Sequence, residues 1–192
     1  MPVRATVAAA VLSLLLAMPS FAQDDEEYTV DPTLVGVYLG GSMAAGWDNF
    51  DPVGTLDDFG PSMVSSLILG YRGSEYISIE SEFEWLSGFR AGQDELDGWM
   101  TSLGFRVHFP IGQLEPYLTY GGAILHLEGL GATLGTINDT DFAITGGAGL
   151  AYQWTDRFSV FAEGLYTWPV RGLAGFDHGS LRFGLLYKFA EE

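Results

Sequence analysis

Cysteine is absent from the 192 residues, and lysine is nearly so, with Lys188 its single instance. Without disulfides, an exported chain has to be held by burial and strand pairing. Basic residues are few, 8 against 25 acidic, for a net charge of −17. That balance argues against nucleic acid as a partner and against electrostatic docking on anionic lipid. Long apolar runs are missing too. Beyond the first 22 residues nothing approaches the roughly 20 apolar residues of a spanning helix. Three scattered histidines form no metal-ligand spacing. The glycine runs Gly121-Gly122 and Gly146 to Gly149 lack the following Lys-Ser/Thr of a phosphate loop.

The N-terminus reads as a secretory signal: Arg4, an apolar stretch from Val7 to Met18, and the small-x-small site Ser20-Phe21-Ala22. Cleavage after Ala22 leaves seven basic and 25 acidic residues, a net charge of −18. Residues 23–32 form an acidic leader without hydrophobic periodicity. Residues 33–189 are expected to form a β-barrel, and residues 190–192 a short tail.

Alternation of period two dominates the rest, which is the strand signal. Eight segments carry it: Leu34 to Ala44, Ser62 to Arg72, Tyr76 to Leu86, Trp99 to Phe109, Pro116 to Leu127, Asp141 to Trp154, Phe158 to Trp168 and Ser180 to Phe189. In the third, Ile77, Ile79, Phe83 and Trp85 share one face, and Ser78, Glu80, Glu82 and Glu84 the other. Short connections at Gly73-Ser74, Pro110 to Gln113 and Thr155 to Arg157 alternate with long ones at Ala45 to Pro61, Ser87 to Gly98, Glu128 to Thr140 and Pro169 to Gly179. Antiparallel neighbours joined in this way gather the tight turns at one end and the long loops at the other. The fold class is all-β, an eight-stranded antiparallel up-and-down transmembrane barrel with both termini on the periplasmic side of an outer membrane.

Volume decides which face points inward. An eight-stranded barrel has an interior just wide enough for side chains to fill. The apolar faces, with Leu69, Phe83, Trp85, Phe105, Leu150, Phe183 and Leu185 among their residues, are too bulky for it. The opposite faces are small and polar (Gly40, Gly70, Gly104, Gly149, Gly184), with charges between. The apolar set therefore meets lipid. Glycine makes room in the lumen for long charged side chains.

The lumen is expected to hold Arg72, Glu80, Glu82, Glu84, Arg106, His108, Glu163, Arg182 and Lys188. Charges removed from water need partners, so these read as an ion-pair network that rigidifies the interior. Pairs such as Glu82 with Arg106 or Arg72 are candidates, and a gated narrow pore is the functional alternative. Aromatic girdles are expected at the two interfaces, with Trp85, Trp99 and Trp168 beside the long loops and Tyr71, Phe109 and Trp154 beside the tight turns. The first long loop carries Asp48, Asp51, Asp57 and Asp58, and the second Asp94, Glu95 and Asp97. Carboxylates at that density are candidates for divalent cations, though a solvated acidic surface explains them as well. The run Asp177-His178-Gly179-Ser180 holds the residue types of a hydrolytic triad, but sequence neighbours seldom adopt its geometry. We therefore assign no catalytic, cofactor or metal residues.

The last strand is the most specific segment. Arg182, Gly184, Tyr187 and Phe189 give a polar residue, a glycine two positions on, and two aromatics at alternate positions near the chain end. This resembles the C-terminal assembly signal of bacterial outer-membrane barrels, except that Ala190-Glu191-Glu192 follow the final aromatic. The segments Pro116-Tyr117-Leu118-Thr119-Tyr120-Gly121-Gly122 and Gly146-Gly147-Ala148-Gly149-Leu150-Ala151-Tyr152 are similar to strands of the small eight-stranded outer-membrane barrels, the OmpX, OmpW, opacity-protein and OmpA-barrel types. The resemblance implies a non-enzymatic protein without a cofactor. Its implied partners are outer-membrane lipid, lipopolysaccharide and the barrel-assembly machinery. A narrow channel for small or apolar solutes and a lipid A-modifying enzyme are the alternatives.

Overall fold

The computed structural model describes residues 35–48, 62–91, 94–131, 135–170, 173 and 176–189. The signal segment, the leader, most of the first long loop with Asp51, Asp57 and Asp58, and the C-terminal tail lie outside these residues. Eight strands follow in chain order: β1 (Gly36–Asp48), β2 (Ser62–Arg72), β3 (Ile77–Ala91), β4 (Asp94–His108), β5 (Leu114–Gly131), β6 (Gly135–Gln153), β7 (Phe158–Pro169) and β8 (His178–Lys188). Each pairs with its sequence neighbour, and β1 pairs with β8 to close the barrel. All eight pairings are antiparallel. Closure pairs the backbone groups of every strand around the wall, as a wall in hydrocarbon requires.

Alternation sets the two faces. Leu69 is 53% exposed, Phe105 56% and Leu185 54%, all pointing outward, whereas Ile68, Arg106 and Arg182 on the opposite parity are buried. The tight connections at 73–76, 109–113 and 154–157 sit together at one end, the turn end. Gly112 takes φ of +63° there, a left-handed conformation that glycine adopts without a Cβ penalty. It lets Ile111 and Leu114 bridge across the turn.

Two of the expected long loops are strands instead. β3 and β4 stay paired up to Ala91 opposite Asp94. β5 and β6 stay paired up to Gly131 opposite Gly135. Asp94, Glu95 and Asp97 therefore lie on β4 rather than in a loop. Among the described residues, pairing of β2 with β3 runs to Met63 opposite Ser87, and pairing of β6 with β7 to Ala143 opposite Pro169. Above those points β3, β4, β5 and β6 continue as a four-stranded wall beyond the rest of the rim. The apolar outward row gives way there to exposed Asp97, Glu128 and Asp139, while the backbone ladder continues.

The lumen departs from its expected contents as well. Rings cover the inward glycines directly opposite them. Tyr38 pairs with Gly70, Tyr117 with Gly149 and Phe161 with Gly184, and in each case a Cβ on the glycine would run into the ring. The glycines thus make room for aromatics more than for charged chains. At the loop end an apolar cluster of Val64, Leu86, Leu96, Met100, Leu125 and Leu127 is buried, beside buried Asp141, His178 and Ser180. Leu173, from the β7–β8 connection, packs into the same cluster, and its N–H donates to Asp141 Oδ2 at 3.1 Å.

Candidate functional site

The charged groups at the turn end and middle of the interior form one connected set, because β2, β3, β4, β5, β7 and β8 each turn a charged residue toward the axis. At the turn end, Arg72 on β2 donates to Glu115 Oε2 on β5 at 2.8 Å. His108 on β4 joins the same carboxylate through Nδ1 at 2.6 Å and Ser78 Oγ through Nε2 at 2.8 Å. The guanidinium of Arg72 also reaches the carbonyls of Ser74 and Glu75 in the adjacent turn. Ser78 lies 3.0 Å from the Tyr38 hydroxyl, which donates to Glu80.

The middle of the barrel continues this chain. Arg106 Nη2 stands 3.0 Å from Glu80 and 3.4 Å from Glu163. Its guanidinium lies 4.1 Å from the Tyr117 ring centroid and 5.6 Å from that of Phe161. Cation–ring contacts of this kind strengthen when water is removed. Arg182 on β8 closes three further pairs: 2.5 Å to Glu82, 3.1 Å to Glu84 and 2.6 Å to Glu163. Glu82 therefore pairs with Arg182, and not with Arg106 or Arg72. The bridges link strands from opposite sides of the wall, and Glu84 sits one inward position below Leu86 of the apolar cluster. The interior is thus stacked along the axis, first polar and then greasy.

The remaining sequence candidates fall elsewhere. Lys188 lines the turn-end mouth. Gly184 lies beneath Phe161, while Tyr187 packs on Phe158 at 5.0 Å and on Phe189 at 5.2 Å. Trp85 and Trp99 are direct partners on β3 and β4 at the loop end. Trp168 is on β7 at the same end, and Tyr71, Phe109 and Trp154 flank the turns at the other. Asp177 accepts from the Tyr166 hydroxyl at 3.3 Å, and His178 opens β8. His126 stacks on Trp99 at 5.3 Å and joins Thr140 and Glu128 on the wall's exterior, so it does not meet His178. Among the described residues, no group of three or more His, Cys, Asp or Glu side chains is placed to hold a metal ion.

Sequence reasoning missed three participants. Glu115 shares the parity of Tyr117 and Thr119, a signal that could have found it. Tyr38 and Tyr117 share inward parity with Gly40 and Glu115, but their residue type pointed the other way. As aromatics they read as wall residues until the register shows the glycines opposite them.

A closed sheet with apolar residues outward and ion pairs along its axis defines a transmembrane β-barrel. The chain belongs to the outer membrane protein beta-barrel domain family, which it matches over residues 8–189. Among curated proteins, none matches it in sequence. Solved structures of similar fold include Neisserial surface protein A, NspA, at 16% identity and a TM-score of 0.69, covering 80% of this chain and 97% of that one. The attachment invasion locus protein Ail of Yersinia pestis aligns at 17% identity and TM-score 0.58, over 81% of this chain and 99% of its own. OprG of Pseudomonas aeruginosa aligns at 14% identity and TM-score 0.54, over 82% and 97%. The protein is an outer-membrane protein of Gram-negative type.

Proposed function

We propose that this barrel is a non-enzymatic anchor with a filled lumen, which holds an acidic, strand-built surface outside the cell. The observation that carries the reading is the interior stacking: paired charges from Arg72 to Glu84, then the apolar cluster sealed by Leu173. A conducting pore needs a continuous wet path, and the apolar cluster at the loop end argues against one. Loop end outward and turn end periplasmic is the orientation that fits short periplasmic turns. Trp85, Trp99 and Trp168 then mark the outer interface, and Tyr71, Phe109 and Trp154 the inner one. Arg182, Gly184, Tyr187 and Phe189 serve the assembly machinery before they take their places in the wall.

The β3–β6 wall above the rim is the presenting element, and its charge bounds the partner. Ail has been solved with a polyanion, the heparin analogue sucrose octasulfate. This chain exposes Asp97, Glu128 and Asp139 on that wall. It therefore suits cationic partners, or divalent cations shared with lipopolysaccharide phosphates. Planar-bilayer recording tests the filled lumen: current at baseline is expected, and a large steady conductance would overturn it in favour of a channel. Binding of the purified protein to polycations, set against heparin, tests the surface.

A further inference from the structure

The outer surface of the wall is not evenly filled. Across β6, β7 and β8 two neighbouring rows face outward, Leu150–Ala162–Phe183 and Tyr152–Val160–Leu185. The flanking residues of each row are large and exposed, whereas Val160 and Ala162 between them are half-buried. The result is a groove of about 910 Å³ along β7, within the roughly 300–1,000 Å³ of small-ligand sites. It stays open beyond Ala162, since a Cβ at the next outward residue, Gly164, would meet nothing within 4 Å. From Val160 to Gly164 the floor runs about 13 Å along the strand. At the other end the Tyr152 hydroxyl donates to Gln113 in a turn at 3.1 Å, so the groove finishes at the polar edge of the apolar band. Asp156 and Arg157, both exposed, stand at that foot in the turn joining β6 to β7.

We propose that this groove holds one acyl chain of an amine-bearing, zwitterionic phospholipid from the turn-end leaflet, with the phosphate at Arg157 and the ammonium at Asp156. The groove belongs to the apolar face that meets lipid, so its occupant comes from the bilayer. Left unfilled, it would forfeit dispersion contacts along its lining. Lipid tails are as apolar as leucine, so hydrophobicity does not choose the occupant. Fit along the groove and the head group do. Adjacent carboxylate and guanidinium groups match a zwitterion, whereas a net charge of −17 opposes an anionic head group. The leaflet is the periplasmic one in the orientation proposed above, but occupancy of the groove does not depend on that orientation.

The probe is phosphatidylethanolamine carrying a diazirine at mid-chain, mixed into phosphatidylcholine nanodiscs that hold the folded chain. After irradiation, peptide mass spectrometry is expected to find residues 160–164 and 183–185 labelled severalfold above Leu69 and Phe105, which are as exposed as Leu185. A162F fills the groove and should abolish that excess. D156N with R157Q should reduce it severalfold while leaving heat-dependent gel mobility unchanged. Unlabelled phosphatidylethanolamine should compete better than phosphatidylglycerol. Even labelling around the wall, an excess that survives A162F, or better competition by phosphatidylglycerol would each overturn the proposal. So would an unlabelled groove in a sample that native mass spectrometry shows to be dimeric, because a second barrel would then be the occupant. If A162F fails to fold, undiminished labelling of the turn variant is sufficient to refute it. None of these results alters bilayer conductance, so the filled lumen stands or falls separately.

Discussion

Glu163 and Arg182 are direct partners across the β7–β8 ladder, and their side chains meet at 2.6 Å with both residues buried. Arg182 also serves Glu82 and Glu84, so one guanidinium contacts three carboxyl groups. Removing it strands charge that water cannot reach. Arg182→Met is expected to destabilise the barrel by about 3–5 kcal/mol, the range for breaking a buried pair. Glu84→Gln removes only one contact of 3.1 Å and one negative charge from a crowded site, so its effect should be much smaller. Urea titration of folding into liposomes reads both, and equal losses would refute this assignment.

The ring-over-glycine pairs make a prediction with an internal control. The atoms nearest to a Cβ at Gly70 all belong to the Tyr38 side chain, whereas one at Gly184 would meet the Phe161 ring and also the carbonyl oxygen of Gly41. Overpacking of this kind costs about 1–3 kcal/mol. Gly70→Ala should be partly rescued by Tyr38→Leu, because the obstruction is a side chain that can be shortened. Gly184→Ala should not be rescued by Phe161→Leu, because backbone remains in the way. The midpoint of heat-dependent gel mobility is a sufficient measurement.

Depth in the bilayer is testable on the outer surface. Leu103, 64% exposed on β4, lies between Trp99 and Phe109 and hence near the middle of the wall. Leu103→Arg should cost about 2–4 kcal/mol, and Trp154→Arg beside a turn about 0–1 kcal/mol. Refolding equilibria in thin-bilayer liposomes would show the difference, and similar costs at both positions would place the membrane elsewhere.

The wall above the rim should show in amide exchange. Gly98, Asp97 and Leu96 of β4 are paired to Leu127, Glu128 and Gly129 of β5. β6, from Gly135 to Phe142, is paired on its β5 side only, among the described residues. Slow exchange is expected along β4 and β5 through this stretch, with every second amide of β6 exchanging fast, as at a sheet edge. Uniformly fast exchange across all four strands would mean that the extension is not a stable ladder.

What the sequence conveyed, and what it withheld, follows from which forces leave a periodic trace. Inside the bilayer a strand divides lipid from lumen, so Ile77, Ile79 and Phe83 alternate legibly with Ser78, Glu80 and Glu82. The outward and inward sets could be read from that alone. Beyond the rim the exposed side chains include Asp97, Glu128 and Asp139 in place of an apolar row, while Leu96 stays buried inside. Ser87 to Gly98 and Glu128 to Thr140 then look like loops although their backbones pair. Ion-pair identity was not legible either. Glu82 and Arg182 are 100 positions apart and meet only because the barrel closes. The inward aromatics were hidden for the same reason: a tyrosine opposite a glycine is recognisable only when the register is known.

The seam between β1 and β8, paired from Tyr38–Lys188 to Asp48–His178, has a bearing on biogenesis. The earliest wall residues to leave the ribosome need the latest ones before either has a neighbour on that side. A product interrupted anywhere short of its final dozen residues would keep a raw strand edge that hydrocarbon does not tolerate. Insertion should therefore be all-or-nothing, with shortened chains left in the periplasm for proteases.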